Sequence, residues 1–291
     1  MEMKVFLSDK LVDEKDAVVS VFDHGLLYGD GVFEGIRAYN GRVFLLDEHL
    51  DRLYDSAKAI ALEIPMTKEE MSRAVVDTCK ANEIADGYIR LVVTRGKGTL
   101  GLNPYLCKKA EVIVIAAKIQ LYPQELYDNG LKIVTVGTVR NHTEALNPRI
   151  KSLNYLNNVM AKIEAINAGC MECLMLNPQG QVAEASGDNV FAIKKGVVTT
   201  PPSWCGALEG LTRNKVMELA RTAGYEVRES VMARYDLYVA DEVFLTGTAA
   251  EIISVVDIDK RRIGDGKPGR VTEELSALYA ECTRSEGTPI R

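Results

Sequence analysis

Lys151 lies in RIKSLNYLNNVMAK, residues 149–162, beside a serine and among asparagines and a tyrosine. By default a lysine is a solvated charge. An amine with a chemical task needs neighbours that give it one. Tyr155 follows four residues on, and if the helix extends back to Lys151 the two side chains share a face. Anion-binding signals occur elsewhere. EGLTRNKVMEL places Gly210, Leu211 and Thr212 at a helix start, where bare N–H groups and the helix dipole favour phosphate. FLTGTAAEI, residues 244–252, is a small-residue turn with two hydroxyls, Thr246 and Thr248. Arg52, on an earlier helix, adds a full positive charge. Each signal is common by itself; together they suit a bound phosphate. In QVAEASGDNVFAI, Glu184 stands on a strand between Ala183 and Ala185, where small neighbours permit a tight approach. The plain alternative for Glu184 is a solvated strand carboxylate. A lysine near a phosphate site, with a phenol and a carboxylate, points to pyridoxal phosphate. That cofactor needs an amine for a Schiff base and a partner at its pyridine nitrogen.

The rest of the composition bounds the possibilities. The chain has 291 residues, is 47% hydrophobic and 26% charged, and carries a net charge of −6. These are ordinary values for a globular protein of two domains or one large one. The acidic balance argues against nucleic acid or an anionic membrane as partner. No apolar run is long enough for a signal peptide or a membrane span, so a cytoplasmic location is expected. The six cysteines are then expected to be free thiols. Cys170 and Cys173 form a CxxC between a helix end and a strand, which reads as structural. With no second CxxC and only three histidines, no metal site is expected. GKGTLG at 96–101 fits a dinucleotide fingerprint in letters alone. Pro104 and a strand follow it, where that fold requires a helix.

The elements that must hold these residues can be read in order. Asn40-Gly41 between two alternating runs marks a hairpin. LDEHLDRLYDSAKAIAL has helical apolar spacing, with Pro65 expected to stop it, and Thr67 with Glu70 opens the next helix as a capping box. YIRLVVT and AEVIVIAAKI read as strands. A linker is expected at 119–130, between a small N-terminal domain (1–118) and a larger C-terminal one (131–291). The second part reads as a strand KIVTVG, a helix over 152–168 and two hairpins. A helix from GLTRNKV, strands DEVFLTG and EIISVVD, and a helix near 271–284 complete it. Without regular βαβ alternation, this is a two-domain α/β (α+β) chain with the site expected between the domains.

Seven stretches in order carry a resemblance: FDHGLLYGDGVFEGIRAY, LDEHLDRLYDSAK, YIRLVVTRG, IKSLNYLNN, VAEASGDNVF, EGLTRNKV and DEVFLTGTAAEI. Over roughly residues 3–285 the chain resembles the class IV, fold-type IV pyridoxal-phosphate aminotransferases (the D-amino acid aminotransferase-like fold). It is most similar to their branched-chain amino acid branch. The resemblance implies that Lys151 holds pyridoxal phosphate and shuttles the proton, that Glu184 pairs with the pyridinium nitrogen and that Tyr155 meets the ring oxygen. It implies Arg52, Gly210, Leu211, Thr212 and Thr248 around the phosphate. It places Tyr28, Phe33, Arg37 and Tyr88 at the side-chain pocket and the amides of Thr248 and Ala249 at the α-carboxylate. Arg90 then meets the acidic side chain of glutamate, and Leu102 reaches the partner's pocket in a homodimer or higher homo-oligomer. The implied reaction is ping-pong transamination of leucine, isoleucine and valine with 2-oxoglutarate. Leu91, where branched-chain enzymes often have proline after YIR, departs from the pattern. The LVVTRG form is shared with the D-amino acid branch, but the loop KGTLGLNP lacks that branch's arginine and histidine. D-amino acid or (R)-amine transamination and aminodeoxychorismate lysis are the alternatives on this fold. A non-catalytic binding protein on the same scaffold has no need of Lys151, Tyr155 and Glu184 together.

Overall fold

A computed structural model describes residues 2–118 and 122–290. The chain forms two compact units. The first comprises the described residues up to 118 together with 150–155 and 283–290, the second 122–149 and 156–282.

In the first unit, strands β1 (Lys4–Leu7), β2 (Lys10–Asp13), β3 (Gly31–Tyr39), β4 (Arg42–Val43), β5 (Gly87–Thr94) and β6 (Glu111–Ala117) join the C-terminal strand Thr288–Pro289. They form one antiparallel sheet in the order Thr288–Pro289, β4, β3, β5, β6, β1, β2. The β3–β4 turn is the expected one, with Asn40 and Gly41 both at positive φ. Period-two alternation decides the faces. Ile89, Leu91 and Val93 of β5 are fully buried beside Val32, Ile36 and Ala38 of β3, while Tyr88, Arg90, Phe33 and Arg37 take the other face. The buried face is covered by helices α2 (Leu46–Ala59) and α3 (Lys68–Ala81), which bring Leu46, Leu50, Leu53, Met71 and Val75 to one core. A short helix α1 (His24–Tyr28) precedes β3. Thr67 and Glu70 make the expected reciprocal cap on α3. Pro65 does not stop α2: the helix ends at Ala59, and Ala61 turns the chain at φ 50°.

In the second unit, α4 (Gln124–Asn129) leads into β7 (Leu131–Thr135). Of the stretch 119–130 expected as a linker, residues 119–121 lie outside the described residues. In the remainder α4 forms, and Tyr122 is buried in the second core. Then follow α5 (Leu156–Asn167), β8 (Glu172–Leu176), β9 (Val182–Glu184), β10 (Asn189–Lys194) and β11 (Val197–Thr200). Next come α6 (Leu211–Thr222), β12 (Glu226–Glu229), α7 (Arg234–Tyr238), β13 (Glu242–Gly247), β14 (Glu251–Ile258), β15 (Arg261–Arg262) and α8 (Arg270–Ser285). The sheet runs β12, β11, β10, β13, β14, β7, β8, β9, with β15 beside β14. It mixes parallel pairs (β7 with β8 and β14, β11 with β12) with antiparallel hairpins, in keeping with the α/β (α+β) expectation. No helix among the described residues is long and apolar enough to cross a membrane.

The expected helix over 152–168 begins four residues late, at Leu156. Sheet pairing is the reason. Lys151 O accepts from Phe33 N (3.0 Å), Leu153 N donates to Gly31 O (2.9 Å), and Ser152 bridges Val32. Lys151 O and Leu153 N are therefore engaged by β3 and are not available to a helix.

Candidate active site

Lys151 and Tyr155 meet without a helix between them. Lys151 Nζ lies 3.2 Å from Tyr155 Oη and 4.7 Å from the centre of the Phe33 ring. Phe33 and Tyr155 pack edge to face at 4.9 Å. The amine thus sits in an aromatic corner whose ring faces attract a cation. Its backbone N–H donates to Ser56 Oγ of α2 (3.2 Å), a second tether beside β3.

Arg90 follows from strand register. It pairs with Gly35 across β3 and β5, and its guanidinium stacks 4.8 Å from Phe33 and 5.3 Å from Tyr88. Gly35 makes this possible: a Cβ there would meet Tyr88 Oη at 2.0 Å. Lys151, Tyr155, Phe33, Tyr88 and Arg90 are therefore brought together on one face of the first sheet. Arg37 shares that face and stacks on Tyr39 at 4.9 Å. Tyr28 bonds the carbonyl of Leu100, and His24 Nε2 lies 2.8 Å from Thr99 O, so α1 fastens the loop after β5. Leu102, farther along that loop, is 77% exposed and joins none of this group. No helix follows GKGTLG; a single turn, Pro104–Leu106, stands there.

Arg52 projects from α2, the helix whose Ser56 also holds the Lys151 backbone. It holds Glu34 through Nε (2.8 Å) and Nη2 (2.7 Å), and His49 Nδ1 lies 2.7 Å from the same carboxylate. Burial alone would push the Glu34 carboxyl up, but the charges of Arg52 and His49 and their hydrogen bonds hold it at about 2. Burial pushes the His49 imidazole below its ordinary value, against the pull of Glu34.

In the second unit Glu184 is buried on β9. Arg140 grips its Oε1 with Nε (2.9 Å) and Nη2 (2.8 Å). Leu208 N (2.8 Å) and Asn189 Nδ2 (3.3 Å) donate to Oε2. Arg140 is itself steadied by Asn157 Oδ1 (2.9 Å) and Asn158 Oδ1 (3.2 Å) at the start of α5. The solvated-carboxylate reading of Glu184 is thus set aside. Gly210 caps α6, as the sequence implied, with Leu211 and Thr212 as its first residues. Gly210 has no side chain to cap this helix start, whose first amides suit an anion. Thr248 and Ala249 lie in the turn between β13 and β14. Thr246 Oγ1, at the end of β13, is buried with no hydrogen-bonding partner among the described residues. Asp188 rests on the next residue, Gly247, where a Cβ would meet its Oδ1 at 1.9 Å. Burial, then the charge of Glu172, pushes the Asp188 carboxyl up to about 7. The six cysteines are free, and burial pushes the Cys173 thiol up, which removes it as a nucleophile. Among the described residues no group of acidic, cysteine or histidine side chains is arranged to hold a metal.

Three partners escaped the sequence reading: Glu34, His49 and Arg140. Glu34 had a signal, since it interrupts the apolar alternation of Val32, Ile36 and Ala38. Arg140, in an irregular loop, had none.

The model of the amino-transferase class IV family matches residues 31–258. A putative branched-chain-amino-acid aminotransferase of Methanocaldococcus jannaschii is 51% identical over 288 residues, 99% of each chain. The structure of the Escherichia coli branched-chain amino acid aminotransferase superposes with a TM-score of 0.97 at 32% identity, covering 100% of both chains. That of the T.th. branched-chain amino acid aminotransferase with pyridoxamine 5'-phosphate gives a TM-score of 0.94 at 38% identity, covering 98% of this chain and 95% of that one. The same T.th. enzyme has also been solved with N-(5'-phosphopyridoxyl)-L-glutamate and with 4-methylvaleric acid.

Proposed function

The chain belongs to the class IV aminotransferases, in the branched-chain-amino-acid aminotransferase group, and from that premise we propose its substrates and the role of each site residue. It is a pyridoxal-phosphate-dependent aminotransferase. It transfers the amino group of leucine, isoleucine or valine to 2-oxoglutarate, in two half-reactions through one site. The observation that carries this reading is the pair of cations on one aromatic ring. Lys151 Nζ and Arg90 Cζ lie 4.7 and 4.8 Å from the centre of Phe33. The lysine suits the reacting centre and the arginine an acidic side chain.

The residues present fit the cofactor. Taken unit by unit, the first offers an amine beside a phenol for its aldehyde and ring oxygen, and the second a buried carboxylate for its ring, with a helix start and a Thr246 hydroxyl that has no partner among the described residues for its phosphate. Lys151 would hold it, Tyr155 would meet its ring oxygen and Glu184 its pyridine nitrogen. Arg52, Gly210, the amides of Leu211 and Thr212, and Thr248 would hold its phosphate. When bound, it supplies an aldehyde and a ring that accepts electrons from the substrate's α-carbon.

The chain's own residues do the rest. Lys151 Nζ would take the proton from the substrate's α-carbon and hold it for return, while Tyr155 Oη would orient the amine. Arg140 presses on Glu184 from behind and keeps its carboxylate aimed. Phe33, Tyr28 and Tyr88 give leucine an apolar wall. Arg90 supplies the charge for glutamate and, at the edge of that wall, turns to solvent when leucine is bound. Arg37 supports the pocket from the same face. The amides of Thr248 and Ala249 hold the α-carboxylate.

A homo-oligomer is part of this proposal, supported by an exposed apolar row on α5 and by Leu102, which would serve the partner subunit's pocket. A cytoplasmic location is also part of the proposal, in line with cysteines held as thiols, Cys79, Cys173 and Cys205 among them buried.

The test is an absorbance titration of the cofactor-loaded protein. L-leucine alone should bleach the band of the Lys151-bound cofactor, and 2-oxoglutarate should restore it; Lys151→Ala should show neither change. A band indifferent to L-leucine would overturn the branched-chain assignment.

A further inference from the structure

Strand β3 carries one charged residue on the face that meets α2. Val32, Ile36 and Ala38 are fully buried there, and Glu34 interrupts them at 0% exposure. A carboxylate in such a place is costly unless it is paired and hydrogen-bonded. Both of its partners come from one stripe of α2: His49 and Arg52 are three residues apart and share a helix face. Arg52 meets Glu34 with two nearly parallel bonds from its Nε–Nη2 edge. A planar guanidinium held by one edge has its plane set, and with it the direction of the opposite edge. His49 accounts for the remaining reach of Glu34 Oε2 and keeps the carboxylate from rotating. The same stripe continues to Ser56, which accepts the backbone N–H of Lys151. On β3 the residue next to Glu34, Phe33, donates its N–H to the carbonyl of Lys151. One strand and one helix face therefore index the arginine and the lysine to each other.

We infer that Glu34 and His49 are positioning residues that aim Arg52 at the phosphate of the cofactor, in register with Lys151. This rests on the proposal that Arg52 binds that phosphate. At 0% and 2% exposure the two residues act through Arg52 and not by contact with a ligand. An arginine on a free side chain loses rotamer freedom when it binds. Here the loss has been taken in folding, and the gain appears as affinity for the phosphate alone.

Pyridoxal 5'-phosphate and pyridoxal, which lacks the phosphate, separate this role from a structural one. Their dissociation constants are measured by absorbance on the full-length apoprotein and on Arg52→Met, Glu34→Gln and the double variant. Arg52→Met and Glu34→Gln should each weaken pyridoxal phosphate about tenfold or more and change pyridoxal less than about threefold. The double variant should bind no more weakly than Arg52→Met. Loss of one member of a buried pair also lowers stability. If Glu34→Gln yields too little folded protein, Glu34→Asp keeps the charge but is too short to span Arg52 and His49, and gives the same readout. Equal losses for both ligands, or additive losses in the double variant, would overturn the inference. So would an unchanged Glu34 variant beside a weakened Arg52→Met, and in that case the phosphate role of Arg52 stands. An unchanged Arg52→Met removes that role as well.

Discussion

At the scale of single residues, the site sets one problem: a pocket must accept an apolar side chain in one half-reaction and a carboxylate in the other. Arg90 is the side chain proposed to answer it: it is half-buried and stacked on Phe33 and Tyr88. On that proposal, removing it would leave the leucine wall intact and an acidic side chain without a partner. An unpaired buried carboxylate costs several kcal/mol, on the order of 3, and each 1.4 kcal/mol or so is a factor of about ten in rate. Arg90→Ala should therefore lower kcat/KM for glutamate and 2-oxoglutarate by about a hundredfold or more, and for leucine by less than about fivefold. Separate half-reactions followed by stopped-flow absorbance give the comparison, because steady-state turnover needs both substrates. Equal losses would make Arg90 a sheet residue and nothing more. The grouping of Lys151, Tyr155 and Arg90 around Phe33 was legible in the sequence. Lys151, Glu184, Arg52 and Arg90 stand in short motifs whose order is itself informative. The partners Glu34, His49 and Arg140 were not read. A side chain's partner across 18 or 44 positions is fixed by tertiary contact and not by local spacing.

Secondary structure divides along the same line. The hairpins at Asn40-Gly41 and Lys195-Gly196 and the capping box at Thr67 were legible because their causes are local: positive φ at the turn and a side chain bonding its own helix. The start of α5 was not, because β3 captures residues 151–153 from a distance of more than a hundred positions. Local readability also explains the start of α6. Gly210 has an ordinary φ of −70°, so its freedom to turn is not what the fold uses. The missing side chain is: a Cβ would lie 2.0 Å from Asn189 Oδ1. Asn189 is buried, donates to Leu208 O (2.9 Å) and reaches Glu184, so it cannot step aside without loosening both. Gly210→Ala should overpack this corner at a cost of about 1–3 kcal/mol. It should lower the melting temperature by a few degrees and weaken pyridoxal phosphate by several-fold, as Glu184 and the α6 amides shift together. A melting scan and a cofactor titration read the two effects. A variant with wild-type affinity would separate Gly210 from the cofactor.

For the molecule as a whole, the exposed surface of α5 is the feature a lone chain does not explain. Asn158, Ala161 and Ala165 pack inward, as on any amphipathic helix. The outward side is apolar too: Leu156, Val159, Met160, Ile163 and Ile166 are 46–66% exposed and recur at helical spacing. A helix that is apolar on both sides belongs inside something, and a continuous apolar row of this length on a surface marks a docking face. The chain's net charge of −6 would push copies apart, so association must rest on apolar burial. A second copy is the occupant proposed here. Met160→Glu tests it cleanly, since the substitution falls on an exposed position and should cost the isolated chain less than about 0.5 kcal/mol. Buried in an interface, the same carboxylate would cost several kcal/mol, about 3, enough to raise a dimer dissociation constant by roughly a hundredfold. Sedimentation or light scattering at micromolar concentration should then show a multiple of the 32.0 kDa chain for the wild type and a shift toward 32.0 kDa for the variant. Transamination should fall with it if Leu102 serves the partner subunit's pocket. A wild-type protein that sediments as a single chain would remove the partner from the site, and Leu102 with it.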